Sequence, residues 1–254
     1  MTEKSRRRNN SGQALIISSL IIAVLLLSTT YYVFEVRRSV PNDETTTDSN
    51  LEAIKLSTTN TMISALANIT NGGDIGTLTE DLNRLSSNIQ NHFYGGQCLL
   101  QFTPLNTSSY DEGILISWGQ NGTGTSSSNV NFAVNVSEPT DTYYSEYQTN
   151  VTTSLVLGST FSYTGTGRTV NVTCQMLNEN EPALAKDISV FYQNETGGPW
   201  IMVDSSSNLT VNDFGNGTYL ISFNANAQDF LQVSVNAHDS RDVLVVANAT
   251  PTEV

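Results

Sequence analysis

Few side chains in this sequence are equipped for chemistry. It holds two cysteines, Cys98 and Cys174, and two histidines, His92 and His238. Neither cysteine has a histidine near it in sequence to act as the base a thiol nucleophile needs. Outside the cytosol an even cysteine count points to a disulfide. A Cys98–Cys174 bridge would close a loop of about 77 residues and restrict the unfolded chain by about 4–5 kcal/mol; the alternative is two buried thiols. His92 precedes Phe93 at the end of a helical stretch, and His238 sits in an Ala-His-Asp-Ser turn. Without an evident partner, both read as polar surface residues. No Gly-x-Ser-x-Gly serine-nucleophile signature occurs. The adjacent acids Asp111-Glu112 read as a solvated turn, and Glu80-Asp81 as the opening turn of a helix, where negative charge suits the dipole. Asp204, Asp213, Asp239 and Asp242 are the carboxylates that would hold calcium if loops brought them together, but EF-hand spacing is missing. The expectation is therefore a protein that is not an enzyme, with no catalytic residue, metal or cofactor.

Charge narrows the partners. The 254 residues carry 11 Lys plus Arg against 24 Asp plus Glu, net −13. Residues 1–38 take six of the basic groups and two of the acids, leaving residues 39–254 at −17. A polyanion of that kind repels phosphate backbones, so no nucleic-acid partner is expected.

Residues 14–34, ALIISSLIIAVLLLSTTYYVF, run without a charge. As a helix they would span ~31 Å at ~1.5 Å per residue, one hydrocarbon core. Secretory signals have apolar cores of only about 7–15 residues ending in a small-x-small site; here the far end is Thr29-Thr30-Tyr31-Tyr32, which suits an interfacial anchor. A retained single-pass helix in the cell membrane is expected. Lys4, Arg6, Arg7 and Arg8 outweigh Arg37 and Arg38, placing residues 1–13 in the cytoplasm and the C-terminal region outside. Ten Asn-x-Ser/Thr glycan acceptors lie beyond the span: Asn68, Asn106, Asn121, Asn135, Asn150, Asn171, Asn194, Asn208, Asn216 and Asn248.

The elements that must position these groups follow from periodicity. Residues 35–50 read as a linker, with Pro41 and a Thr-rich tether ending the membrane helix. Leu51, Ile54, Thr58, Met62, Ala65 and Ile69 make a helical stripe stopped at Asn71-Gly72-Gly73, and Leu78, Leu82, Leu85, Ile89 and Phe93 make a second one. Residues 51–95 are thus a helical hairpin, its stripes packing on a β domain or associating side by side with other copies. From Gln97 the period becomes two, and strands are expected at Cys98–Phe102, Ile114–Trp118, Asn129–Val136 and Tyr143–Leu157, the last as two strands or a bulged one. Further strands follow at Thr169–Met176, Ile188–Gln193, Trp200–Val203, Tyr219–Ala225, Leu231–Asn236 and Val243–Ala247. The run from Gly119 to Asn129 lacks the Lys-Ser/Thr of a phosphate loop and reads as a mobile loop. The fold class is mainly β: a transmembrane helix, a helical hairpin, a β domain over residues 96–166, and a β-sandwich over residues 167–254.

Two resemblances add to this. Asp213-Phe-Gly-Asn-Gly-Thr-Tyr219-Leu-Ile-Ser-Phe223 resembles the turn into strand F of immunoglobulin-like sandwiches, in which a tyrosine hydroxyl returns to the corner backbone. Tyr219 would be that residue, Ile221 would stand where the second cysteine falls, and Trp200 would supply a core ring. Arg6-Arg-Arg-Asn-Asn-Ser-Gly12-Gln13-Ala-Leu-Ile-Ile resembles the class III signal of archaeal type IV pilin-like proteins, which implies cleavage between Gly12 and Gln13 and entry of the exposed helix into a filament. Ile17 replaces the Glu typical of bacterial members, and Pro41 interrupts the long first helix of many pilins. Ile116-Ser-Trp-Gly119, Asn150-Val-Thr-Thr153 and Asn171-Val-Thr-Cys174 are similar to stretches of uncharacterised archaeal membrane-anchored surface proteins, implying a cell-envelope location. The leading expectation is a non-enzymatic, membrane-anchored surface protein serving adhesion or envelope structure, its partners the lipid bilayer, envelope proteins or glycans, and copies of itself. The alternatives are a pilin-like filament subunit processed after Gly12, and a sugar-binding or ectoenzyme module.

Overall fold

In a computed structural model, the described residues are 45–93, 96–119, 121–138, 142–165, 167–227 and 231–254. The chain separates into two compact units, residues 1–52 and 53–254. Of the first, only the opening turns of a helix are described. The expected membrane span at 14–34, the cytoplasmic segment 1–13, the Gly12–Gln13 cleavage site and most of the linker lie outside the described residues. Among those described, no helix is long and apolar enough to cross a membrane.

Two helices come first, α1 (Thr45–Thr70) and α2 (Thr77–His92). The described part of α1 begins at Thr45, so residues 45–50 of the stretch expected to be a tether are helical; Pro41 lies outside the described residues. The stripe is buried within the chain, with Ile54, Thr58, Met62, Ala65 and Ile69 all shielded. On α2, Leu78 and Leu82 are fully buried and Leu85 and Ile89 half-buried.

The strands are β1 (Gln97–Pro104), β2 (Ile114–Trp118), β3 (Thr123–Ser137), β4 (Thr142–Thr164), β5 (Gly167–Asn178), β6 (Glu181–Pro182), β7 (Ala185–Gln193), β8 (Ile201–Met202), β9 (Thr210–Asp213), β10 (Thr218–Ala225), β11 (Gln232–Asp239), β12 (Leu244–Ala249) and β13 (Thr252–Glu253). They form a nine-stranded sheet, ordered β1-β3-β4-β5-β10-β9 with β2, β6 and β13 on its margins, and a four-stranded sheet ordered β12-β11-β7-β8. The molecule is mainly β, with the smaller sheet stacked on part of the larger as a sandwich.

Strand β4 organises the larger sheet. Its 23 residues run unbroken where two strands or a bulge were expected. Residues 142–156 pair with β3 and residues 153–164 with β5, without a register shift on either side. Alternation then gives the sheet one covered face. Val130, Phe132, Val134 and Val136 of β3, Val151, Leu155 and Leu157 of β4, Val170, Val172, Cys174 and Met176 of β5, and Tyr219, Ile221 and Phe223 of β10 all point inward and are buried. The hairpin lies by the β1–β3–β4 end of this face, where the Thr58 hydroxyl meets the Tyr147 hydroxyl at 3.2 Å and the Ser86 hydroxyl donates to the Leu100 carbonyl at 2.7 Å. The smaller sheet covers the β4–β5–β10 end, where Val233, Val235, Val245 and Ala247 complete the core. The opposite face carries mostly Thr, Ser, Asn and Gln.

From Thr123 onward the expected mobile loop is overturned. Residues 123–129 belong to β3, and Ser126, Ser127 and Ser128 are fully buried. Small side chains there let the two sheets approach: a Cβ on Gly124 would stand 2.0 Å from the Val246 carbonyl oxygen of β12. The Ser126 hydroxyl donates to the Leu244 carbonyl at 2.7 Å and accepts from the Trp118 indole N–H at 3.1 Å.

Two core expectations are corrected. Tyr219 is buried on β10, between β5 and β9 of the larger sheet, and its hydroxyl accepts from the Ala185 N–H of β7 at 2.8 Å, not from the turn that precedes it. Trp200 is 40% exposed beside the edge strand β8 and fills no core position.

Candidate functional site

The cysteines are free and buried. Cys98 on β1 lies opposite Val136, which faces Tyr143 of β4, whereas Cys174 on β5 faces Leu157. The two levels are about 14 residues apart along β4, ~46 Å at ~3.3 Å per residue. A disulfide needs Cα atoms within about 7 Å, so the expected bridge is overturned in favour of two buried thiols. Burial pushes the Cys174 thiol up to about 12 and raises Cys98 as well, which keeps both protonated and unreactive.

The four aspartates do not converge, and among the described residues no group of three or more His, Cys, Asp or Glu side chains could hold a metal ion. The Asp204 carboxylate accepts from the hydroxyl and N–H of Ser206, which hold it below the usual carboxylate range. Asp213 accepts from the Gly215 N–H, and Asp242 pairs with Lys186. Asp239, fully buried, accepts from four donors: Thr153 Oγ1 at 2.9 Å, Arg241 Nε at 2.8 Å, and the N–H groups of Arg241 and Val243. Arg241 also donates to Glu179 Oε1 at 2.8 Å. This network ties the β11–β12 turn to β4 and to the β5–β6 turn.

His238 is no lone surface residue. Nδ1 meets Asp187 at 2.8 Å, and Nε2 meets Asn71 Oδ1 at 2.9 Å. The Asn71 amide nitrogen donates to the Ala67 and Asp242 carbonyls, which fixes its oxygen toward the ring. Both ring nitrogens therefore face an oxygen. The cluster fastens the end of α1 to β7 and β11. His92 remains exposed at the end of α2, its Nδ1 at 3.0 Å from the Asn88 carbonyl.

Of the ten glycan acceptors, Asn68, Asn106, Asn121, Asn135, Asn150, Asn194, Asn208 and Asn216 are exposed, while Asn171 and Asn248 are half-buried.

One surface depression was not anticipated from the sequence. On the outer face of β1, β3 and β4, a shallow depression of about 600 Å³ is bordered by Gln101, Thr103, Asn131, Tyr144, Glu146 and Gln148. Register places Gln101, Ala133 and Glu146 in one row across the strands and Thr103, Asn131 and Gln148 in the next. Ala133, the small residue of the middle strand, is the floor. Tyr144, 59% exposed, closes one end, and its hydroxyl donates to Glu146. That bond, and the nearby carboxylate charge, raise Tyr144 above the usual tyrosine range. Gln148 donates to Asn129 Oδ1 at 2.8 Å. Beneath the floor the inward Phe132 and Tyr147 rings stack at 5.2 Å, and Lys55 of α1 lies over Tyr147. One carboxylate among neutral amides and hydroxyls is equipped to bind; the paired carboxylates of glycoside hydrolysis are not among its lining residues.

No family model matches the chain, and no curated protein matches it. Among solved structures, a chimeric titin Z1Z2 functionalized with a KLER exogenous peptide from decorin is similar over 64% of this chain and 83% of its own, at 13% identity and a TM-score of 0.23. A score that low carries no argument.

Proposed function

We propose that this chain is a non-enzymatic, membrane-anchored surface protein whose β region serves adhesion or envelope structure. Residues 14–34 hold it in the bilayer, residues 1–13 lie in the cytoplasm, and the rest projects outward. The observation that carries the reading is β4, whose unbroken course through both ends of the larger sheet joins residues 53–254 in one compact unit with a broad polar face. Eight exposed glycan acceptors support an exported surface. The strand order β4-β5-β10-β9 against β12-β11-β7 matches the A-B-E-D and G-F-C sheets of an immunoglobulin-like sandwich, an architecture that presents surfaces without committing residues to catalysis. In that frame Tyr219 lies on the E-type strand, and the F-type strand is β11.

Protease added to intact cells tests this. Removal of the C-terminal bulk is the expected result; protection until the cells are broken would overturn it. Sequencing the mature N-terminus separates the two surface roles: Met1 or Thr2 belongs to an anchored adhesion protein, whereas Gln13 would convert the reading to a pilin-like filament subunit.

A further inference from the structure

We infer that the depression on β1, β3 and β4 is a binding site for a neutral saccharide presented by another molecule, a reading that rests on the surface placement proposed above. Its dimensions come from the sheet itself. Three strands at ~4.8 Å spacing give a width of ~10 Å, and Tyr144 to Gln148 along β4 gives a length of ~14 Å, the footprint of a di- or trisaccharide. Its chemistry is that of hydroxyl recognition. Gln101, Asn131 and Gln148 each offer an amide donor and acceptor, Thr103 a hydroxyl, and Glu146 a carboxylate whose second oxygen accepts from a sugar hydroxyl while Tyr144 holds the first. The Tyr144 ring gives the apolar face of a pyranose something to rest on.

Charge selects among ligands. Glu146 is the one ionised lining group and the chain is a polyanion, so uronic, sulfated and phosphorylated sugars are repelled while neutral ones are not. The hydrogen bonds from Tyr144 to Glu146 and from Gln148 to Asn129 hold those lining side chains in place before the ligand arrives, which lowers the ordering cost of binding.

The test uses the full chain in a sugar-free zwitterionic detergent, probed by saturation-transfer NMR with maltotriose, cellobiose and N,N′-diacetylchitobiose, and with trigalacturonate as the anionic control. Saturation transfer to at least one neutral saccharide and none to trigalacturonate is expected. Ala133→Leu, which fills the floor while keeping every polar group, and Tyr144→Ala should each weaken that binding at least tenfold without altering the thermal melt. Absence of transfer to all three neutral sugars, equal transfer to trigalacturonate, or wild-type binding by Ala133→Leu would overturn the inference. So would binding that appears only after Ser137→Ala removes the neighbouring Asn135 acceptor, since the occupant would then be the chain's own glycan. None of these outcomes bears on protease shaving of cells, so a failure here leaves the surface placement standing.

Discussion

Gly124 marks how little room separates the two sheets. Because a methyl group there would collide with the Val246 carbonyl, Gly124→Ala should lower stability by about 1–3 kcal/mol in denaturant titrations. Gly158 on β4 has nothing near its missing Cβ, so Gly158→Ala should be neutral or gain up to about 1 kcal/mol, the entropic advantage of alanine in a strand. The thiols make a second prediction. With Cys174 raised to about 12 by burial and Cys98 raised too, neither ionises appreciably at pH 8, and both should resist maleimide in the native protein. Both should react on denaturation without any reductant, which mass spectrometry would count. At Tyr144, Glu146→Gln should bring the phenol back toward the ordinary tyrosine range, read by NMR of labelled tyrosine as the pH is raised.

Elements are joined here by turns as much as by strands. The buried Asp239 gathers four donors and, through Arg241 and Glu179, binds the β11–β12 turn to β4 and the β5–β6 turn. Asp239→Ala would leave the guanidinium of Arg241 poorly matched and should cost about 3–5 kcal/mol by chemical denaturation. That element-level network was illegible in the sequence, where Asp239 looked like a loop acid. Its donors come from positions as distant as Thr153, and nothing local marks them. The hairpin stripes and the alternation of β5 and β10 were legible, because each buries a face whose period the residues must repeat. Residues 119–129 misled for a physical reason: Gly and Ser signal a loop by composition, yet the same small size is what two closely packed backbones require. The unbroken β4 was ambiguous because a strand of that length is rare. The depression was hidden altogether, since Ala133, Gln101 and Glu146 become neighbours only through the register of three strands.

At the scale of the whole molecule, two apolar cores lie on one face of one sheet and share β4. Residues 53–254 should therefore unfold in a single transition. The α-helical signal of the hairpin and the fluorescence of Trp118 and Trp200 should fall at the same denaturant concentration, whereas independent domains would give separate midpoints. The length of β4, ~75 Å at ~3.3 Å per residue, has a mechanical meaning as well. In the proposed surface role, gripping a target while anchored at the other end would put the protein under tension. Along β4, pulling would load the flanking hydrogen bonds in shear, many at once, and not peel them one by one. On that proposal the strand would act as a tendon, passing a tug along the larger sheet from the β3-paired half to the β5-paired half.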